Sequence, residues 1–193
     1  MAVILAARRI GGAYGGIVEL LALTAQRREE VARMTWDELD LAVRLWTLPA
    51  VRTKNARAHC VHLSEAAVAV IARAPRLGSF VFTGTGKASF QDFTRAKARL
   101  DEMSGVAAWR LHDLRRTVVS GMARLGVAPH MADRLLNHVS GAISGVAAVY
   151  QRYEFPPITW RTSSGIRCAR RSTSQLFSTP TRRSVAFLLI TPA

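Results

Sequence analysis

The sequence contains little cysteine and no long apolar run. Its two cysteines, Cys60 and Cys168, are too few for a disulfide framework and too far apart for a local metal motif. No segment approaches the roughly 18 consecutive apolar residues of a membrane span. The apolar residues 1–7 precede Arg8 and Arg9, which reverses the charge order of a secretory signal. These absences predict a protein of the cell interior.

Acidic residues and lysine are also scarce. The 193 residues include 27 Lys+Arg against 13 Asp+Glu, a net charge of +14, and only Lys54, Lys87 and Lys97 are lysine. Such a surface attracts polyanions, so nucleic acid is the first partner to expect and an anionic membrane the second. Arginine suits bidentate phosphate contacts, but the codon usage of a GC-rich genome gives the same bias, and composition does not decide between these readings.

The chain divides by composition into two parts. All acidic residues lie at or before Glu154, whereas residues 156–193 contain six arginines, four of the seven prolines and many serines and threonines. Such a composition is typical of a segment outside the hydrophobic core. We therefore expect a folded domain over residues 1–155 and a basic, poorly ordered tail over residues 156–193.

The hydrophobic pattern of residues 1–155 is mostly helical. Helical spacing or helix boundary residues occur at 17–23, 31–36, 64–74, 89–100, 112–125, 129–136 and 145–153. Between them, β-favouring runs at 43–48 and 59–63 flank the polar stretch 52–57. The sequence predicts an α+β fold, mainly α, with a small antiparallel sheet and a charged hairpin.

Four separated segments contain polar residues of the kind that catalytic sites use. They are residues 24–30, 52–55, 112–117 and 135–138, and Tyr150 follows twelve residues after the last. Over about residues 20–155, their order and spacing resemble the catalytic domain of the tyrosine recombinases, the phage integrase family. The resemblance implies the DNA breaking-rejoining enzyme fold. It also implies that the N-terminal helical domain of full-length members, which lies before this region, is missing.

The resemblance assigns a role to each motif residue. Its catalytic set is Arg27, Lys54, His112, Arg115, His138 and Tyr150, with Glu30 in support, and the DNA-binding residues are Arg28, Arg52, Arg57 and Arg116. Attack of a phenolate on a phosphodiester passes through a pentacoordinate state with additional negative charge, which two guanidiniums would stabilise more than the substrate. The tyrosine would be the nucleophile, the lysine the general acid for the leaving 5′ oxygen, and no cofactor or metal is expected.

Several other residues compete with this set. Tyr153 lies three residues beyond Tyr150, but the residues around Tyr150 match the family's terminal tyrosine better. His59 and His62 are expected on opposite faces of a strand, which argues against a metal pair. The stretch 84–88 lacks two residues of a phosphate-binding loop and predicts an ordinary turn. Ala25 stands where the family usually has glycine, which has a consequence only if that position needs a positive φ.

The resulting expectation is site-specific DNA recombination through a 3′-phosphotyrosyl intermediate. The expected partner is double-stranded DNA, and no membrane is expected. The protein is expected to bind DNA as a homo-oligomer, which would be a tetramer if it is functional. The expected location is the bacterial or phage-infected cytoplasm, in association with the nucleoid. Two alternatives stay open: a non-catalytic DNA-binding remnant of a decayed integrase, and a type IB topoisomerase, against which the contexts of Thr24 and Asn137 argue.

Overall fold

A computed structural model describes residues 1–137 and the backbone of two later strands. The α-helices are α1 (Ala2–Ile10), α2 (Gly12–Thr24), α3 (Arg28–Ala32), α4 (Glu65–Ala72), α5 (Phe93–Ser104), α6 (Leu111–Arg124) and α7 (Pro129–Leu135). The strands are β1 (Leu39–Asp40), β2 (Leu45–Leu48), β3 (His59–His62), β4 (Ile158–Arg161) and β5 (Arg167–Arg170). Short 3-10 helices span Trp36–Glu38 and Ala50–Arg52. The predicted fold, mainly α with a small antiparallel sheet, is confirmed.

The first three strands form an antiparallel sheet in the order β1-β2-β3. In the β2–β3 pair, Leu45 faces His62 and Leu48 faces His59, so residues 49–58 connect the two strands. The β-branched and aromatic residues of this region favour the pleated backbone, whereas the polar stretch between them does not. The sheet therefore presents the predicted charged connection, with Lys54 in it.

Helix α2 is the centre of the molecule. Its apolar residues belong to two hydrophobic clusters: one reaches α4 and the sheet, and the other reaches α1 and α5. A helix that is apolar on most of its faces is stable only when neighbours cover all of them. Gly15 allows the close approach of α1, because a Cβ at this position would lie 2.4 Å from the Ala7 carbonyl oxygen.

A third cluster joins the turn after α2 to α6 and α7. It contains Ala25, Val118, Met122, Ala132 and Leu136, all buried. This cluster brings together the segments around residues 25, 115 and 136, which are far apart in the sequence. It is the packing that creates the candidate site.

One local prediction needs correction, and two features were not predicted. The helix expected to begin at Ser89 begins instead at Phe93, because Ser89 is buried and the backbone amide of Phe90 bonds to the carbonyl of Phe82. On α7, Met131 and Leu135 are exposed and Ala132 is buried, as is Leu136 directly after the helix. Helix α1 was not predicted, because its short apolar run lacks a start signal.

The later part of the chain contributes one pair of strands. Strands β4 and β5 pair antiparallel within the segment expected to be a poorly ordered tail. The division of the chain at residue 155 stays a prediction, and the helix expected over 145–153 lies outside the described residues. No helix in the described part is both long and apolar enough to cross a lipid bilayer.

Candidate active site

Arg27 is held in place by a carboxylate one helical turn later. Glu30 accepts hydrogen bonds from the backbone N–H and from Nη1 of Arg27, both at 2.9 Å, and is only 5% exposed. The spacing follows from helix geometry, since residue 27 is the N-cap of α3 and residue 30 is its third residue. The predicted supporting residue therefore fixes the direction of the first arginine.

The turn before Arg27 adopts a left-handed conformation. Ala25 ends α2 with φ +54°, and its N–H donates to the Leu21 carbonyl at 2.9 Å. This position does need a positive φ, so the alanine is strained where the family's glycine would not be. The turn points the Ala25 carbonyl oxygen toward α6.

Arg115 is buried against this turn. Its Nη1 donates to the Ala25 carbonyl at 2.5 Å, its Nη2 donates to the Leu136 carbonyl at 2.7 Å, and the residue is 4% exposed. Burial lowers the pKa of Arg115 to about 10; the nearby Arg27 cation acts in the same direction and Glu30 opposes it. Two cations are thus held close together, an arrangement that a bound anion would stabilise.

His112 lies in the first turn of α6 with an exposed side chain. The same turn is capped by Asp113, whose carboxylate accepts from the Arg110 N–H at 2.9 Å. This backbone bond and the nearby Arg116 guanidinium lower the pKa of Asp113. The cap orients the N-terminal turn of α6, and with it His112, toward the cleft.

Lys54 lies in the connection between β2 and β3. The hydroxyl of Thr53 anchors one side of the loop: it lies 3.0 Å from the Ala50 carbonyl and 2.7 Å from the Arg57 carbonyl, and it accepts from the Arg57 N–H at 3.0 Å. Asn55 anchors the other side through Asn137. Lys54 itself is exposed.

These side chains line one open cleft of about 870 Å³. Its lining includes seven of the predicted site residues, namely Arg27, Arg28, Glu30, Arg52, Lys54, His112 and Arg115. Apolar residues such as Phe93, Trp109 and Leu111 form another part of its wall. A cleft of this size, rich in arginine, suits an extended polyanion.

Two of the predicted DNA-binding residues are not among the cleft-lining residues. Arg57 is exposed outside the cleft, and Arg116 extends from α6 to an exposed ion pair with Asp113 at 3.4 Å. Arg52 lines the cleft, but its guanidinium is bonded to the Glu38 carboxylate and to the Glu30 carbonyl. The assignment of these arginines to DNA binding stays a prediction.

The end of α7 is bonded to two side chains, and one of them, Gln26, also lines the cleft. Gln26 Nε2 donates to the Leu135 carbonyl at 3.0 Å, and His59 Nε2 lies 3.2 Å from the same oxygen. Because a carbonyl oxygen only accepts, Nε2 of His59 carries the proton in this arrangement. The last carbonyls of a helix lack partners within it, and here side chains distant in the sequence supply them.

Sequence reasoning assigned no role to Gln26 or His59. Gln26 is 2% exposed, and burial lowers the pKa of His59. No local signal marks the role of either residue, because their shared partner Leu135 lies 109 residues from Gln26 and 76 residues from His59 along the chain. The position of Gln26 inside a motif segment was the one indication in the sequence.

His138 and Tyr150 lie outside the described residues. The third tyrosine, Tyr14, is 3% exposed, and burial together with the Asp101 carboxylate raises its pKa to about 12. A nucleophilic phenol needs the opposite shift. Within the described ranges no group of three or more His, Cys, Asp or Glu residues has the arrangement of a metal site.

Comparison with known proteins identifies the fold and the family. The sequence model of the phage integrase family matches residues 8–153. Prophage integrase IntA of Escherichia coli (strain K12) is 28% identical over 139 residues, which are 69% of this chain and 33% of that protein. The chain thus spans a third of the length of this curated relative.

Solved structures show the same fold. XerA recombinase superposes with a TM-score of 0.59 at 20% identity, over 79% of this chain and 59% of that one. A lambda integrase(75-356) dimer bound to a COC′ core site gives a TM-score of 0.57 at 17% identity, over 75% and 56% of the two chains. The family match covers most of the sequence, and the described part has the fold of tyrosine recombinase catalytic domains. This chain belongs to the phage integrase family.

Proposed function

We propose that the chain is the catalytic part of a tyrosine recombinase that performs site-specific recombination of DNA. The observation that carries the proposal is the shared cleft of Arg27, Lys54, His112 and Arg115, which come from three separate segments of the chain. A random arrangement of surface cations would not bury Arg115 in the core with both of its Nη atoms bonded to backbone carbonyls. The family and the fold support the same reaction class.

In the proposed reaction, Arg27 and Arg115 bind the non-bridging oxygens of one phosphodiester. The pair is oriented before substrate arrives, by Glu30 on one side and by two backbone carbonyls on the other. Preoriented donors stabilise the additional charge of the transition state without reorganisation, and loss of one such donor costs about 3 to 4 kcal/mol of barrier.

Tyr150 is the proposed nucleophile. Its phenol loses a proton to solvent, its oxygen bonds to phosphorus, and the electron pair of the broken bond stays on the 5′ oxygen, which takes a proton from Lys54. Tyr14 is excluded by its burial, which leaves Tyr150 and Tyr153 as candidates. His112 and His138 are proposed to contact the phosphate oxygens.

The partner is proposed to be double-stranded DNA in the bacterial or phage-infected cell. Lambda integrase has been solved as a dimer on a core site and as a tetramer on a Holliday junction. We propose a tetramer on DNA for this chain as well. The net charge of +14 means that the binding weakens steeply as salt rises.

A nicked suicide duplex tests the proposal. The probe is a pool of nicked duplexes with a randomised core, incubated with the full chain and resolved under denaturing conditions. We expect a covalent adduct that Tyr150→Phe abolishes and Tyr153→Phe retains. Salt-sensitive binding without any adduct would overturn the enzyme proposal and establish the non-catalytic remnant. Relaxation of supercoiled plasmid without strand exchange would favour the topoisomerase.

A further inference from the structure

Two asparagines join the Lys54 loop to the end of α7. Asn55 Nδ2 donates to Asn137 Oδ1 at 2.8 Å and lies 3.2 Å from the Asn137 carbonyl, and Asn137 Nδ2 reaches Asn55 Oδ1 at 3.3 Å. Both side chains thus act as donor and acceptor. The two residues are 82 positions apart, so only the tertiary structure brings them together.

The two ends of this contact are anchored differently. Asn137 follows α7 with φ +50°, a conformation that asparagine tolerates better than most residues. The carbonyls of Leu135 and Leu136 just before it accept from Gln26 and Arg115. The α7 end is therefore fixed to the arginine side of the cleft.

The loop end of the contact has less support. Lys54 stands between Thr53, which is buried at 8% exposure, and Asn55, whose described anchor is Asn137 at the end of α7. The Lys54 ammonium has no hydrogen bond or ion pair with any residue of the described part. A flexible side chain of this kind is placed by the backbone that carries it, and the Asn55 contact sets that backbone.

We propose that the Asn55–Asn137 amide pair positions Lys54 over the reacting phosphate, an inference that rests on the proposed function. The pair links the loop of the general acid to the same segment that receives Arg115. Neither asparagine is among the residues that line the cleft, so we assign both a positioning role.

The reaction step at issue is the release of the 5′ oxygen. As the bond between phosphorus and that oxygen breaks, the oxygen keeps the electron pair and takes one proton from the Lys54 ammonium, which becomes a neutral amine. If sulfur replaces the bridging 5′ oxygen, the leaving group is a thiolate. A thiol is acidic enough to leave without that proton, so the sulfur substrate bypasses Lys54.

The test compares cleavage of oxygen and sulfur suicide duplexes by the full chain. We expect Asn55→Ala to cleave the oxygen duplex at least tenfold more slowly than the unmodified chain, and Asn137→Gly to behave in the same way. Both should cleave the sulfur duplex within twofold of the unmodified rate, as should Lys54→Ala. Glycine is chosen at 137 because it keeps the positive φ without strain.

Two controls define the result. Gln91→Ala removes an exposed amide whose side-chain partner within the described residues is Ser89, and it should leave both rates unchanged. Arg27→Ala should remain slow on both duplexes, because its defect is in charge stabilisation. Equal slowing of Asn55→Ala on the two duplexes would overturn the positioning role, since a general structural defect is not rescued by sulfur.

A second measurement does not depend on activity. Amide hydrogen exchange should become at least tenfold faster over residues 53–57 in Asn137→Gly, with β1 unchanged. Unaltered exchange over residues 53–57 would overturn the proposal that the Asn55–Asn137 pair orders this loop. If the unmodified chain cleaves neither duplex, the proposed function fails, and the exchange result still decides whether the amide pair orders the Lys54 loop.

Discussion

The two sides of the cleft are built in opposite ways. The arginine side is part of the hydrophobic interior: Arg115 is 4% exposed, and Glu30 is 5% exposed. The lysine side is an exposed loop with one buried threonine and an amide contact. Charge stabilisation requires donors that do not move, whereas proton delivery requires a group that approaches and withdraws. The same difference predicts that substitutions on the arginine side lower the free energy of unfolding, whereas substitutions on the lysine side leave it nearly unchanged.

Replacement of Arg115 should have the largest effect on stability. Arg115→Ala leaves two buried carbonyls, those of Ala25 and Leu136, without donors, and we expect a loss of about 3 kcal/mol in the free energy of unfolding. Urea denaturation measures it. Arg116→Ala, on the next residue but exposed, should change the free energy by less than about 0.5 kcal/mol. Equal losses for the two would contradict the buried role.

Replacement of Glu30 should have the next largest effect. Glu30→Gln removes the carboxylate that pairs with Arg27 and faces Arg115, which leaves two neighbouring cations without a counter-charge. We expect a loss of about 1 to 2 kcal/mol, again by urea denaturation.

Glu29 provides the matched control for that experiment. It is adjacent to Glu30 but exposed, and its ion pairs with Arg28 and Arg33 lie at the surface. Glu29→Gln should therefore change the free energy of unfolding by less than about 0.5 kcal/mol. If it costs as much as Glu30→Gln, burial is not the cause of the difference.

His59 should give a smaller, pH-dependent effect. Burial lowers the pKa of His59, Arg115 and Arg27 add to the shift, and the Leu135 carbonyl and Glu30 oppose it. The unfolded chain, with a histidine pKa near 6.5, then binds more protons than the folded one. The contribution of His59 to stability is therefore present above about pH 6.5 and is lost as the pH falls toward the folded pKa.

Two measurements check the His59 prediction. The ring should titrate below 6.5 by NMR, and His59→Gln should flatten the stability profile as the pH falls below about 6.5. A His59 midpoint above 6.5 would show that the bond to Leu135 outweighs the burial and the neighbouring arginines.

Lys54 should have the smallest effect on stability of all. Lys54→Ala removes an exposed side chain without a bonded partner in the described structure, so the free energy of unfolding should change by less than about 0.5 kcal/mol. Cleavage of the oxygen suicide duplex should nevertheless fall about a hundredfold. A large loss of stability would show that the two sides of the cleft are not built differently.

Features that depend on residues close together in the sequence were predictable, whereas features that depend on distant residues were not. Ser64 was expected to cap α4, and its hydroxyl accepts from the Ala67 N–H at 3.2 Å. Pro129 was expected to start α7 and occupies its first position. Both signals act over three or four residues, so the local sequence contains all the information they need.

Other features had no such signal. The exposed positions of Met131 and Leu135 depend on which neighbour covers α7, and helical spacing alone does not specify that. The positive φ of Ala25 contradicts its own residue preference and is maintained by the packing of the turn against α6 and α7.

The sequence by itself determined the family, the order of helices α2 to α7 with strands β2 and β3 between α3 and α4, and the pairing of Arg27 with Glu30, because motif spacing and helix geometry act along the chain. The tertiary structure alone decided that Arg115 is buried between two carbonyls, that His59 and Gln26 share a third, and that Asn55 meets Asn137. Those contacts join residues 21 to 109 positions apart, and only the packing of α2, α6, α7 and the sheet brings their atoms within reach.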